Sequence, residues 1–128
     1  MSTVQTINSP DNAAFPHILS HATKVQAGNI IFLSGQIPAD KNGQIVPGGI
    51  QEHTKQCLAN LENVLKAAGS SWQQVAKVNI FLKDMADFAA MNEVYEKALP
   101  TPKPARTCIQ VAKLPFDVDI EIEAVAVV

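Results

Sequence analysis

The spacing of hydrophobic and polar positions changes repeatedly along this chain, and each change marks an element. "VQTI" at 4–7 alternates and predicts a short strand, closed by Asn8, Ser9 and Pro10. Residues 11–20 carry no period and read as irregular. "ATKVQAGNIIFLSG" at 22–35 predicts two strands joined as a hairpin at Gly28–Asn29. The following "QIPADKNGQIVPGG" is polar and rich in Gly and Pro, a loop with room for one short strand. From Ile50 the period becomes helical: Ile50, Thr54, Cys57, Leu58, Leu61, Val64, Leu65 and Ala68 fall on one face, and Gly69 supplies the stop. "VAKVNIFLK" at 75–83 predicts a strand. Asp84 then reads as an N-cap ahead of a second helix with Phe88, Met91, Tyr95 and Leu99 as its apolar stripe. Pro100, Pro102 and Pro104 end that helix and enforce an extended path. "ARTCIQV" at 105–111 and "DIEIEAVAVV" at 119–128 predict the last two strands, joined by a link too long for a two-residue turn.

This order predicts an α+β fold, a mixed β-sheet with two helices packed on one face. The strands carry a further message. "NIIFL" and "VNIFL" are apolar at nearly every position, so both faces of the sheet call for burial. Two helices can cover only one. The other face needs a partner, and in so short a chain a second copy of itself is the expected one, which predicts an oligomer.

Composition narrows the picture. A length of 128 residues suits a single domain spanning 1–128, with 47% hydrophobic and 17% charged residues. A net charge of −2 gives no general attraction for nucleic acid or anionic membranes. No apolar run is long enough to cross a bilayer as a helix. The first residues show neither a secretory nor a transit pattern, and Cys57 and Cys108 form neither a disulfide framework nor a metal spacing. A reducing, cytoplasmic setting is the expectation. His17, His21 and His53 lack ligand spacing, so no metal is expected.

The candidate chemistry centres on Arg106, the only arginine among ten basic residues. Alternation puts Arg106, Cys108 and Gln110 on one strand face, and Glu121 and Glu123 on one face of the last strand. If those two strands are neighbours, Glu121 lies near Arg106. A guanidinium fork would take a small carboxylate, with the glutamate handling a water or proton. The alternative is an ordinary cross-strand ion pair at a solvated edge. Cys108 could be a nucleophile, but a packed thiol is the commoner case. Gly35, ending the strand in "LSGQIP", either lets a ligand approach the backbone or makes a bend.

Taken together, "PARTCIQVAKLPFDVDIEIEAVAV", "IFLSGQIP", "VNIFLKDMADFAAMNEVYE" and "LENVLKAAG" resemble the Rid family, the reactive intermediate deaminases also called YjgF, over about residues 5–127. The resemblance implies a chorismate mutase-like fold, with three copies forming a central barrel and clefts between them. It implies hydrolysis of 2-imino acids such as 2-iminopropanoate and 2-iminobutanoate to 2-oxo acids and ammonia, without a cofactor. That activity would protect pyridoxal-phosphate enzymes from reactive intermediates. By matching position it assigns Arg106 to the substrate carboxylate and Glu121 to the attacking water or a proton relay. Ser34 and Gly35 line the cleft, Gly35 and Cys108 offer backbone N–H groups, and Asn92 and Phe88 lie near it. Many members have a tyrosine where this chain has Leu19, in "LSHA", which bears on substrate range. Other functions attached to the family are ribonuclease or translation inhibitor, against which the acidic charge and single arginine argue, and a non-catalytic ligand-binding or chaperone-like trimer.

Overall fold

A computed structural model describes residues 4–26 and 28–128. The elements follow in the order β1 (Val4–Ile7), β2 (Ala22–Val25), β3 (Ile30–Gln36), α1 (Ile50–Ala67), β4 (Val75–Leu82), α2 (Phe88–Ala98), β5 (Ala105–Gln110) and β6 (Ile120–Val127). They form a mixed α+β structure. A four-stranded sheet runs β3-β6-β4-β5, with β4 and β5 parallel and the other neighbours antiparallel. The parallel pair is connected through α2, as parallel strands require a long crossover.

The hairpin expected at Gly28–Asn29 is not there. β2 pairs with β1 in a separate two-stranded sheet, whereas β3 pairs with β6. Ala27, which precedes the expected turn, lies outside the described residues. The reason is burial. β2 ("ATKV") is half polar and mostly exposed, while "IIFL" in β3 is apolar and aligns with the equally apolar end of β6. Asn29 and Val128 exchange backbone hydrogen bonds at 3.3 and 3.1 Å, extending that ladder. The small sheet is tied to the large one where Thr23 Oγ1 donates to the Ala76 carbonyl at 2.7 Å.

Both helices lie on one face. Leu58, Leu61 and Leu65 of α1, with Met91 and Tyr95 of α2, pack on Val78, Ile80, Leu82, Ile120 and Ile122. α1 ends at Ala67 with Ala68 as its C-cap, followed by Gly69 in the left-handed region at φ +77°. Asp84 caps, but one turn early: its carboxylate accepts from the Ala86 N–H in a 3-10 turn, Met85–Asp87, that leads into α2. The opposite sheet face is bare in the single chain. Phe32 is 78% exposed and Ile30 56%, and Ile109 is also exposed. A doubly apolar sheet with one covered face is the arrangement expected from the strand composition.

The C-terminal end of α2 carries a feature that no period in the sequence reveals. Lys103 is only 2% exposed. Its ammonium donates to the carbonyls of Glu96 and Leu99, both at 2.6 Å. These groups would otherwise be orphaned at the helix end, and a cation suits the negative end of the helix dipole. The Lys103 carbonyl accepts from Ser20 Oγ at 2.7 Å. One residue thus joins α2, the segment leading into β5 and the 15–20 segment. Lys103→Met keeps the stem but strands two buried carbonyls, and is expected to lower stability by about 2–3 kcal/mol. Urea unfolding at matched protein concentration checks this; a change near zero would show that the ammonium contributes nothing net.

Candidate active site

Arg106 is the second residue of β5, and the ladder decides which way it faces. Val78 in β4 lies between Arg106 of β5 and Ala124 of β6. Ile80 lies between Cys108 and Ile122, and Phe81 between Ile109 and Glu121. Arg106 and Cys108 therefore share the helix-covered face with Ile80 and Ile122, while Glu121 shares the bare face with Phe81 and Ile109. The sequence-based condition for their proximity, that β5 and β6 be neighbours, is not met, because β4 runs between them. Within one chain, Arg106 and Glu121 are neither adjacent nor on the same side of the sheet.

α2 supplies the bed for the guanidinium. Phe88, Asn92 and Tyr95 follow one stripe of the helix and meet Arg106 from above. Arg106 Nη1 donates to Asn92 Oδ1 at 2.7 Å. Its guanidinium carbon sits 4.8 Å from the centre of the Tyr95 ring and 5.6 Å from that of Phe88. Two ring faces and one amide oxygen thus hold a cation that is 9% exposed. Burial lowers its pKa, while Tyr95 and Cys108 act in the opposite sense. Arginine starts so high that the group stays charged at neutral pH. Tyr95, expected only as core, is core and also the stacking platform. Its buried hydroxyl has no hydrogen-bond partner among the described residues, and burial raises its pKa against the pull of Arg106.

A cleft of about 310 Å³ opens beside this cation, lined by Phe15, Ile18, Leu19, Phe88, Arg106 and Cys108. That volume is at the lower end of small-molecule sites. Larger hollows exist, about 500 Å³ beside Trp72 and about 530 Å³ beside Asn60, but neither is lined by a buried charge. The Cys108 thiol is half-buried; burial raises its pKa more than Arg106 lowers it, so it is protonated at neutral pH and poorly suited to nucleophilic attack. Its backbone is better placed. The Val111 N–H donates to Leu82 in β4, while the Pro104 carbonyl faces outward to Ser20. By alternation the Arg106 N–H faces the Ser20 segment that bridges this edge at Ala105, and the Cys108 N–H points to the edge beyond it.

Ser34 and Gly35 belong to the other side. They lie where the β3–β6 register shifts between Leu33 and Gln36. A side chain at 35 would collide with the Glu121 carboxylate, so the glycine is what gives Glu121 its room. Asn92 and Phe88 stand at Arg106, and Ser34, Gly35 and Glu121 stand together on the bare face: the expected site residues form two clusters. The histidines have structural partners where these are defined. His53 meets Asp119 Oδ1 at 2.7 Å and the Val46 carbonyl at 2.9 Å, and His21 accepts from the Ser9 N–H at 3.0 Å. Among the described residues no group of three or more His, Cys, Asp or Glu is arranged to hold a metal.

Residues 11–128 match the family model described as Endoribonuclease L-PSP. The chain belongs to the Rid (YjgF) family. This Rid chain is 44% identical over 108 residues to the mouse 2-iminobutanoate/2-iminopropanoate deaminase, covering 84% of this chain and 80% of that protein. It is 48% identical over 130 residues to the mitochondrial protein mmf1 of Schizosaccharomyces pombe, covering 98% and 77%. Among solved structures it is similar to RidA from the Antarctic bacterium Psychrobacter sp. PAMC 21119, with a TM-score of 0.75, 34% identity and 98% of both chains covered. The mixed sheet with two helices is thus an architecture shared with that solved structure.

The partners of Arg106 in this Rid fold yield a stability prediction. Asn92→Leu removes the acceptor and leaves a buried guanidinium N–H unpaired, at an expected cost of about 1–3 kcal/mol. Asn92→Asp, which keeps an acceptor, should lose less. Denaturant melts of the two variants decide it; equal losses would mean that Asn92 contributes packing alone.

Proposed function

We propose that this chain is a 2-imino acid deaminase, converting 2-iminopropanoate, 2-iminobutanoate and similar imines to 2-oxo acids and ammonia. The observation that carries the reading is the buried Arg106 fork at the back of a small apolar-walled cleft. Only arginine offers a planar pair of donors that matches a carboxylate, and a fork stacked on Tyr95 and tethered by Asn92 has little freedom left to lose on binding. The deaminase name of the 44% identical mouse relative supports the same chemistry.

The reaction asks for modest help. Water adds to the imine carbon and one of its protons passes to nitrogen; the hydroxyl proton of the resulting carbinolamine then passes to the amine as the carbon–nitrogen bond breaks, leaving the 2-oxo acid and ammonia. Arg106 holds the carboxylate, and the Cys108 N–H at the sheet edge hydrogen-bonds the bound acid. Glu121 takes the proton from water and returns it to the leaving nitrogen, with Ser34 and the Gly35 backbone beside it. Since Glu121 and Arg106 lie on opposite faces of one sheet, a second copy must bring its Glu121 cluster to this cleft. The bare face with Phe32 and Ile30 suits such packing. We therefore place the chain in a homotrimer of chorismate mutase-like subunits whose sheets form a barrel, with one site at each junction. Release of toxic imines by pyridoxal-phosphate enzymes would give this activity its purpose. A ribonuclease reading, suggested by the family description, finds little support in a chain of net charge −2 whose one arginine is buried.

The test is ammonia release from 2-iminopropanoate generated in place, measured on the wild type, Arg106→Lys and Glu121→Gln. Arg106→Lys keeps the charge but loses the fork, and should cost about 2–4 kcal/mol of transition-state stabilisation, roughly 30- to 1000-fold in kcat/KM. Glu121→Gln should still bind 2-oxobutyrate by calorimetry while turning over far more slowly. Wild-type rates in Arg106→Lys would remove the carboxylate clamp from the account, and a wild type that releases no ammonia above the uncatalysed rate would leave only the non-catalytic binding trimer.

A further inference from the structure

The cleft at Arg106 has a chemical asymmetry that bears on which imines it takes. Two of its lining residues, Arg106 and Cys108, carry heteroatoms in their side chains; Phe15, Ile18, Leu19 and Phe88 are wholly apolar. If Arg106 binds the carboxylate, as proposed above, the substrate side chain has only hydrocarbon and aromatic carbon to meet on this side. No amide, hydroxyl or charge on this wall would match a polar or acidic substituent, and burying such a group unpaired is costly.

The wall is also firmly held. The Ile18 and Leu19 N–H groups both donate to the Phe15 carbonyl, at 3.0 and 2.9 Å, closing a tight turn. The next residue, Ser20, is fastened to the strand leading into β5. Its N–H donates to the Pro104 carbonyl at 3.3 Å, and its hydroxyl to the Lys103 carbonyl at 2.7 Å. Ser20 and Ala105 form a parallel bridge. Leu19 therefore sits one residue from an anchor that is itself one residue from Arg106. Its distance from the carboxylate clamp is set by backbone hydrogen bonds, not by a mobile loop. Ile18 is buried behind it, and Phe15 lines the exposed rim.

We infer that this cleft selects 2-imino acids with branched or extended aliphatic side chains over the three-carbon imine, and that Leu19 is the residue that sets the preference. The inference rests on the deaminase reading and adds a substrate class to it. Each methylene brought from water onto such a wall is worth about fourfold in kcat/KM, so three additional carbons would give about sixtyfold if wholly covered, and at least about tenfold in a partly open cleft.

The experiment compares kcat/KM for two imines made in place by an amino acid oxidase, 2-imino-4-methylpentanoate from leucine and 2-iminopropanoate from alanine. It uses the wild type, Leu19→Ala and Phe15→Ala. The expected wild-type ratio is at least about tenfold in favour of the leucine-derived imine, and Leu19→Ala should cut that ratio at least about threefold, by loss of wall contact. Phe15→Ala, at the rim, should reduce it less. Calorimetric binding of 4-methyl-2-oxopentanoate against pyruvate gives the same ranking without turnover. A wild-type ratio at or below one overturns the inference while hydrolysis of 2-iminopropanoate keeps the deaminase reading intact. A high ratio untouched by Leu19→Ala overturns the role of Leu19. Hydrolysis of neither imine overturns both.

Discussion

The pleat of the sheet is the constraint on which everything else here depends. β4 lies between β5 and β6, and its Val78, Ile80 and Phe81 set the parity of both neighbours. That register sends Arg106 into the helix-covered layer and Glu121 to the bare one. A slip of one residue in either ladder would exchange the faces and place a guanidinium among exposed apolar side chains. In the β4–β6 ladder such a slip is strongly opposed, because it would also turn Ile120 and Ile122 out of the core, while in β5 it is opposed by the contacts of Arg106 with α2. The register of the sheet thus fixes which layer each candidate site residue faces.

A buried cation must be compensated, and the compensation explains why α2 is built as it is. The helix brings two aromatic faces and one amide oxygen to Arg106 along a single stripe, and its far end is closed by the ammonium of Lys103. Lys103 and Arg106 are close in sequence but serve opposite ends of one arrangement. The first anchors the helix against the strand; the second uses the anchored helix as its support. The prolines do not hold that stretch extended as expected: the chain bends at Thr101–Pro102, whose peptide bond is cis, before it reaches Lys103 and β5. Ser20 extends the same framework to the apolar wall of the cleft.

Much of this was legible in the sequence because it is local. The helix at 50–67, its glycine stop, the strand at 75–82 and the stripe of α2 follow from period and punctuation, and the single arginine pointed to the candidate site. What the sequence did not reveal depends on pairing across the fold. Gly28–Asn29 has the residues of a hairpin turn, yet the chain changes sheets there, since β3 finds a better apolar neighbour in β6 than in β2. The separation of Glu121 from Arg106 follows from strand order, which alternation within a strand cannot supply. Tyr95 reads as core because its stripe is core; that the same ring supports a guanidinium emerges only when β5 is set beneath α2. Lys103 had no readable sign beyond being a lysine set between prolines.

The central claim is that one chain supplies the carboxylate clamp and another the proton-handling glutamate. Mixed assembly tests it most directly. Arg106→Ala and Glu121→Ala chains, each inactive alone, are coexpressed or refolded together in equal amounts and assayed for imine hydrolysis. With random assortment into closed rings, about a quarter of the wild-type activity should return, since a junction is whole when the first chain keeps Arg106 and its neighbour keeps Glu121. Activity that stays at the level of the two parents, in particles shown by sedimentation to be mixed, would contradict a shared site.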